Sequence, residues 1–214
     1  PAASLWLDAN ADSSVDFLRC AWGSLAQPTV RQQFNFADSS IQTLRIDPVG
    51  GEHRPHDYAV ERKTIAARDG SKIPVTLLRR KDTPVEGNAP LVLTAYGAYG
   101  VCYPTSFDRT VLPLVNRGIV YAIAHVRGGG ELGRHWYDAG RLQQKRHTFE
   151  DFIDVRRGLS ANGTVDGSRC AAVGASAGGL LMGVIANEAP TEFCAIVAHV
   201  PFVDVLTTML DEEL

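Results

Sequence analysis

No apolar run in the 214-residue sequence approaches the roughly 20 residues that a helix needs to cross a bilayer. The opening "PAASLWLDANADSS" lacks the basic start and hydrophobic centre of a secretory leader. Cysteine is scarce, and Cys20, Cys102, Cys170 and Cys194 form neither a CxxC pair nor any metal-ligand spacing. Cys170 and Cys194 lie in apolar runs and read as buried thiols rather than disulfide partners. There is no basic block either: 21 Lys and Arg against 24 Asp and Glu leave a net charge of −3, which argues against nucleic acid as a partner. These absences leave a soluble, cytosolic chain, without a membrane partner, as the expectation. With 45% hydrophobic residues it has material for one good-sized core. Because the chain begins at Pro1 without methionine, upstream sequence is expected.

The first fifty residues follow one pattern and the rest another. "FLRCAWGSL", "TVRQQFNFA" and "IQTLRIDP" are short strand-like runs separated by polar turns, which predicts an antiparallel meander or one blade of a β repeat over 1–50. "DPVGGEHRPHD" is rich in Pro, Gly and charge and reads as a linker, placed at 51–58. "YAVERKTIAARDGSKIPVTLLRRKD" predicts a hairpin around Asp69-Gly70. From residue 89 strands and helices alternate. "APLVLTAYG" and "IVYAIAHVRG" are continuous apolar runs, as strands covered on both faces would be. "FDRTVLPLVNRG" predicts a helix closed by Gly118. "HTFEDFIDVRRGLSANG" predicts another, with Thr148 and Asp151 as a capping box and Phe149, Phe152, Ile153 and Leu159 on one face. Strand "RCAAVGA", helix "SAGGLLMGVIANE" and strand "FCAIVAHVP" complete the order. Residues 59–214 are therefore expected to form a mostly parallel α/β sheet with helices on both faces.

The chemistry is concentrated at "GASAG", residues 174–178, which fits G-x-S-x-G, the strand-turn-helix nucleophile elbow. A serine held at the apex of that turn projects its hydroxyl above the sheet and crowds its neighbours, so only small residues fit around it. This chain supplies Gly174, Ala175, Ala177 and Gly178, with Gly179 expected to let the helix pack on the preceding strand. The helix start also brings free backbone N–H groups beside Ser176, where an oxyanion forms in acyl transfer. The plainer alternative is a serine that merely caps its helix. A rival from another class is "HVRGGGELGRHW", whose Gly128-x-Gly130-x-x-Gly133 formally matches a dinucleotide-binding loop. That fold needs an acidic residue at a strand end about twenty residues on. Glu150 and Asp151 fall instead in a helical pattern, and the oxidoreductase reading is rejected.

The motifs "YGAYG" (96–100), "HVRGGGELGRHWYDAG" (125–140), "GASAGGLLMG" (174–183) and "HVPFVDVLTTMLDEE" (199–213) occur in order, and together they resemble the catalytic domain of the prolyl oligopeptidase family of serine peptidases. "PFVDVLTTMLD" is similar in particular to the oligopeptidase B branch, which cuts short peptides after Arg or Lys. The resemblance implies an α/β-hydrolase fold preceded by the last strands of a β-propeller. It assigns Ser176 as nucleophile, the Ala177 N–H and the Tyr96 hydroxyl as oxyanion donors, and Tyr99 as a residue of the primary specificity pocket. No metal or organic cofactor is implied. Tyr96 also ends a buried strand at the sheet's carboxyl edge, where such folds place functional groups; it could equally anchor its glycine-rich turn. Asp204 and Asp211 could contribute to a cation-binding cleft or be solvated loop acids. "VCYPTSF" (101–107) departs from the bacterial branch, which tends to carry aspartates there. Arg127 and Glu131 read as a loop-fixing ion pair.

The triad order of this fold is serine, then acid, then histidine. After Ser176 the only histidine is His199, which precedes every downstream aspartate and takes a structural reading. His53 and His56 lie in the linker, His125 ends a strand, and His135 and His147 sit near helix starts. The base and its acid are thus expected beyond Leu214, and the chain alone is expected to be inert. Peptide substrates and the missing propeller and C-terminal hydrolase segments are the partners this implies. The alternatives are an esterase, an acylaminoacyl or prolyl-type peptidase of the same fold, or a non-catalytic hydrolase-like scaffold.

Overall fold

A computed structural model describes residues 2–84 and 87–211. The strands β1 (Ser4–Leu7), β2 (Phe17–Gly23), β3 (Val30–Asn35) and β4 (Ile41–Ile46) pair antiparallel in chain order. This is the expected meander with one strand more, since "SLWL" is too short to declare itself until Leu7 lies opposite Cys20. The chain then passes through a single turn of 3-10 helix at Pro55–Asp57 into the second sheet.

That sheet has six strands. β5 (Tyr58–Ala66) and β6 (Lys72–Arg80) form the hairpin, with Ala66 opposite Lys72 and Gly70 in the left-handed region at φ 87°. β7 (Leu91–Thr94), β8 (Val120–Ala124), β9 (Cys170–Ala175) and β10 (Ala195–His199) run parallel in the spatial order β10-β9-β7-β8-β6-β5. Side-chain alternation divides the core. Leu91, Leu93, Val120, Ala122 and Ala124 face one way, onto α3 (Arg146–Ala161) and α4 (Ala177–Glu188). Val92, Tyr121 and Ile123 face the other way, onto α1 (Leu112–Val115) and onto Leu25 and Ala26 from the loop after β2. Helices therefore cover both faces. Each fully buried Leu or Phe in these layers contributes about 1.5–3 kcal/mol, and Phe152, Leu181 and Ile185 have no exposed surface.

Three local readings need correction. α1 occupies only four residues of the predicted 107–118 helix, because Asp108 folds back on the Thr110 N–H and hydroxyl and ends any earlier turn. Thr148 and Asp151 do not cap α3. A 3-10 turn at Leu142–Gln144 leads straight into the helix, which places Thr148 within its first turn and buries both residues. The Thr148 hydroxyl donates instead to the Arg127 carbonyl at 2.7 Å. Cys170 is buried, and burial pushes its thiol up to about 12, whereas Cys194 is exposed. β10, which begins at the next residue, has no outer neighbour among the described residues and shows solvent most of its side chains.

None of the helices among the described residues is long and apolar enough to cross a membrane.

Candidate active site

Ser176 occupies the turn between β9 and α4 with φ 55° and ψ −117°, a left-handed conformation that an L-residue holds only against a cost of about 1–3 kcal/mol. Three backbone hydrogen bonds hold it there. Its N–H donates to the His199 carbonyl at 3.1 Å, and its own carbonyl accepts from the N–H groups of Leu180 and Phe202, both at 3.1 Å. The side chain is exposed and makes no capping bond to its helix, which removes the plain capping alternative. Ala177 begins α4, so its N–H lacks an intrahelical acceptor.

The glycines show how tight the turn is. A Cβ on Gly174 would strike the Gly178 carbonyl, and one on Gly178 would lie 2.7 Å from the Ala95 carbonyl. Close strand-helix packing thus belongs to Gly174 and Gly178. Gly179, expected in that role, instead faces the chain after β10, where a Cβ would come 2.5 Å from the Pro201 Cα.

Tyr96 follows β7 at the carboxyl edge of the sheet, beside β9. Ser176 and Tyr96 line one cavity of about 360 Å³ together with Ala95, Ala175, Val101, Tyr103 and Pro104. Its wall is mostly apolar, and Val101, Tyr103 and Pro104 belong to "VCYPTSF", a stretch read for its missing aspartates and not as a cavity wall. Adjacency to "YGAYG" was the one available signal. Tyr99 stands next to Tyr96, with ring centroids 6.3 Å apart, but is 71% exposed. Asp204 and Asp211 are exposed and do not line this cavity. The Asp204 carboxylate caps α5 (Val205–Met209), accepting from the Thr207 N–H at 3.3 Å. His199 serves the turn through its backbone. Among the described residues no histidine hydrogen-bonds the Ser176 hydroxyl, and no group of three His, Cys, Asp or Glu is arranged to hold a metal.

Arg127 and Glu131 do not pair with each other. The buried Arg127 guanidinium grips Asp151 through Nη2 at 2.6 Å and Nε at 2.9 Å, and reaches Asp69 at 2.6 Å. Glu131 accepts from the Tyr103 N–H at 2.9 Å and meets His125 Nδ1 at 3.1 Å. Burial opposes its charge, but His125 and the Tyr103 N–H outweigh it and hold the carboxyl below its ordinary range. Glu131 therefore anchors a cavity wall, while Arg127 ties α3 to the β5–β6 turn. In that turn the Ser71 N–H, then Arg127, hold the Asp69 carboxyl at about 2, below the ordinary 3.8. A depressed folded-state value means stability present above about pH 4 and lost as pH falls toward 2. Asp69→Asn is expected to flatten the acid limb of stability between those values, checked by urea midpoints across pH 2–5.

A mostly parallel sheet carrying a serine in a strained turn between strand and helix, with a tyrosine from the same carboxyl edge lining its cavity, defines an α/β hydrolase. The chain belongs to the prolyl oligopeptidase family, whose sequence model matches residues 105–214. It is 46% identical over 211 residues to dipeptidyl aminopeptidase BI of Pseudoxanthomonas mexicana, covering 98% of this chain and 29% of that protein. Oligopeptidase B from Leishmania major superposes with a TM-score of 0.91 at 38% identity, covering 99% of this chain and 30% of that one. Oligopeptidase B from Trypanosoma brucei, in a closed form with covalently bound antipain, gives 0.91 at 36%, with the same coverage. The chain thus spans about 30% of the length of these relatives.

Proposed function

We propose that these residues are the nucleophile-bearing part of a serine oligopeptidase that cuts short peptides after Arg or Lys. Residues 1–50 are the last strands of its propeller domain, 51–58 a linker, and 59–214 the first part of its catalytic domain. The observation that carries this reading is the shared cavity: an exposed Ser176 at positive φ and Tyr96 line the same pocket. Ser176 Oγ attacks the scissile carbonyl carbon, and its proton passes to a general base. The carbonyl oxygen becomes an oxyanion held by the Ala177 N–H and the Tyr96 hydroxyl. The C–N bond then breaks, the base returns the proton to the leaving amine, and water hydrolyses the ester on Ser176. The base and its acid are supplied by sequence outside these 214 residues, since a serine without a base stays protonated at neutral pH.

The likeness to two oligopeptidase B structures supports a preference for basic residues, with Tyr99, Asp204 and Asp211 as candidate substrate contacts. The 46% identity to a dipeptidyl aminopeptidase favours a second reading, release of dipeptides from a free amino terminus. One experiment separates them. The full-length protein is given Arg, Pro and Phe amides, each with a free or a blocked amino terminus. Preferential cleavage of blocked Arg amides is expected. A strict need for a free terminus would favour the second reading, and equal cleavage of all three residues would overturn the basic preference. In the same assay the 214-residue chain alone is expected to be inert toward a serine-directed phosphonate.

A further inference from the structure

Lys145 precedes α3, and its ammonium lies over the face of Phe149, with Nζ 5.6 Å from the ring centroid. Its ammonium donates to the Gly97 carbonyl at 2.6 Å. Among the described residues it makes no ion pair, and burial pulls it down to about 8 from 10.5. A cation withdrawn from water without a counter-ion is a net cost to folding. What that cation holds is the loop carrying Tyr96.

Backbone and apolar contacts also fix the loop 96–100 at Gly97 and Gly100. Gly97 sits at φ 65°, and a Cβ there would collide with the methyl groups of Thr148 and Val126. Its carbonyl lies directly over Gly128, where a Cβ would overlap it. The Gly100 N–H donates to the Gly128 carbonyl at 3.0 Å. Lys145 is the one side chain among the described residues that hydrogen-bonds this loop. Its grip falls on the residue immediately after Tyr96.

We infer that Lys145 is a positioning residue of the Tyr96–Ser176 site: its ammonium fixes the Gly97 peptide and so sets the direction in which the Tyr96 hydroxyl meets the oxyanion. This rests on the serine-peptidase reading above. Lys145 touches no reacting atom. Its effect passes through one peptide unit, and a small misplacement of a catalytic donor is enough to slow the chemical step.

The test uses Lys145→Met in the full-length protein, which keeps the stem and removes the donor. Expected is a fall in kcat of about tenfold, a fraction of the roughly 10²–10³ that losing a whole oxyanion donor costs. KM should stay within about twofold, because ground-state binding is untouched. Phosphonylation of Ser176 should slow in parallel, while the thermal midpoint falls by no more than a few degrees, because relief of the uncompensated charge offsets the donor lost to the Gly97 carbonyl. Lys145→Leu should show the same split, so that a packing fault peculiar to one replacement does not decide the result. Unchanged kcat in both variants would overturn the assignment. So would a loss of rate matched by a larger loss of thermal stability, which marks a merely structural lysine. If Ser176→Ala keeps its activity the serine reading itself fails; if Ser176→Ala is dead and the Lys145 variants are normal, only Lys145 falls.

Discussion

Ser176→Ala in the full-length protein is expected to lower kcat by about 10⁵- to 10⁶-fold and to abolish phosphonate labelling, with KM little changed. The geometry makes this a clean experiment. The backbone bonds that fix the turn, from Ser176 N–H to His199 and to the Ser176 carbonyl from Leu180 and Phe202, do not involve the hydroxyl. Alanine is also an L-residue at φ 55°, so it keeps the strain and the fold. Ser176→Gly relieves the strain and is expected to be more stable by about 1 kcal/mol while equally dead. A Ser176→Ala variant that retained more than a few per cent of the rate would leave a non-catalytic scaffold or another nucleophile as the only readings.

Asp151→Asn is expected to destabilise the protein by about 3–5 kcal/mol, measured as a shift in urea midpoint. Asp151 is fully buried and is bound three ways by Arg127: through Nε, through Nη2 and through the backbone N–H. Neutralising it strands a guanidinium that is itself buried, with only the half-exposed Asp69 left to face it. Against a typical domain stability of about 5–15 kcal/mol this is a large fraction. Replacing both members, Arg127→Met with Asp151→Leu, is expected to recover most of the loss, because the desolvation cost of both charges goes with them. If the single and double variants were equally unstable, the pair would matter for shape rather than charge.

The elements that could be read from the chain are those whose signal is local. Asp69-Gly70 between alternating runs marks a hairpin, and Gly-Ala-Ser-Ala-Gly after a buried strand marks the elbow, because in each case the residues that adopt the geometry are the residues that require it. The ion pairs were not legible, since Arg127 meets partners 24 and 58 residues away that only the folded sheet brings together. A short separation suggested Glu131 instead, and burial beside His125 claimed that side chain. Thr148 looked like a cap because it precedes an amphipathic run with an acid three residues on. The preceding 3-10 turn moved the helix start and turned both side chains inward. Tyr96 entered through the resemblance carried by "YGAYG"; its place at a strand end suited an anchor for the turn equally well. Lys145 carries no pattern at all: its importance lies in one hydrogen bond to a carbonyl 48 residues earlier.

The serine turn leans on the outermost strand of its sheet. Among the described residues β10 pairs with β9 on one side only, Val197 is 42% exposed, and the segment that follows carries Val200, Leu206 and Met209 into solvent. Yet His199 and Phe202, at the far end of that strand and just past it, supply two of the bonds that keep the nucleophile in its strained pose. Fraying there would reach the reactive hydroxyl within a single residue. A neighbouring strand laid along that open margin would brace the nucleophile, and one peeled away would disarm it without touching the cavity.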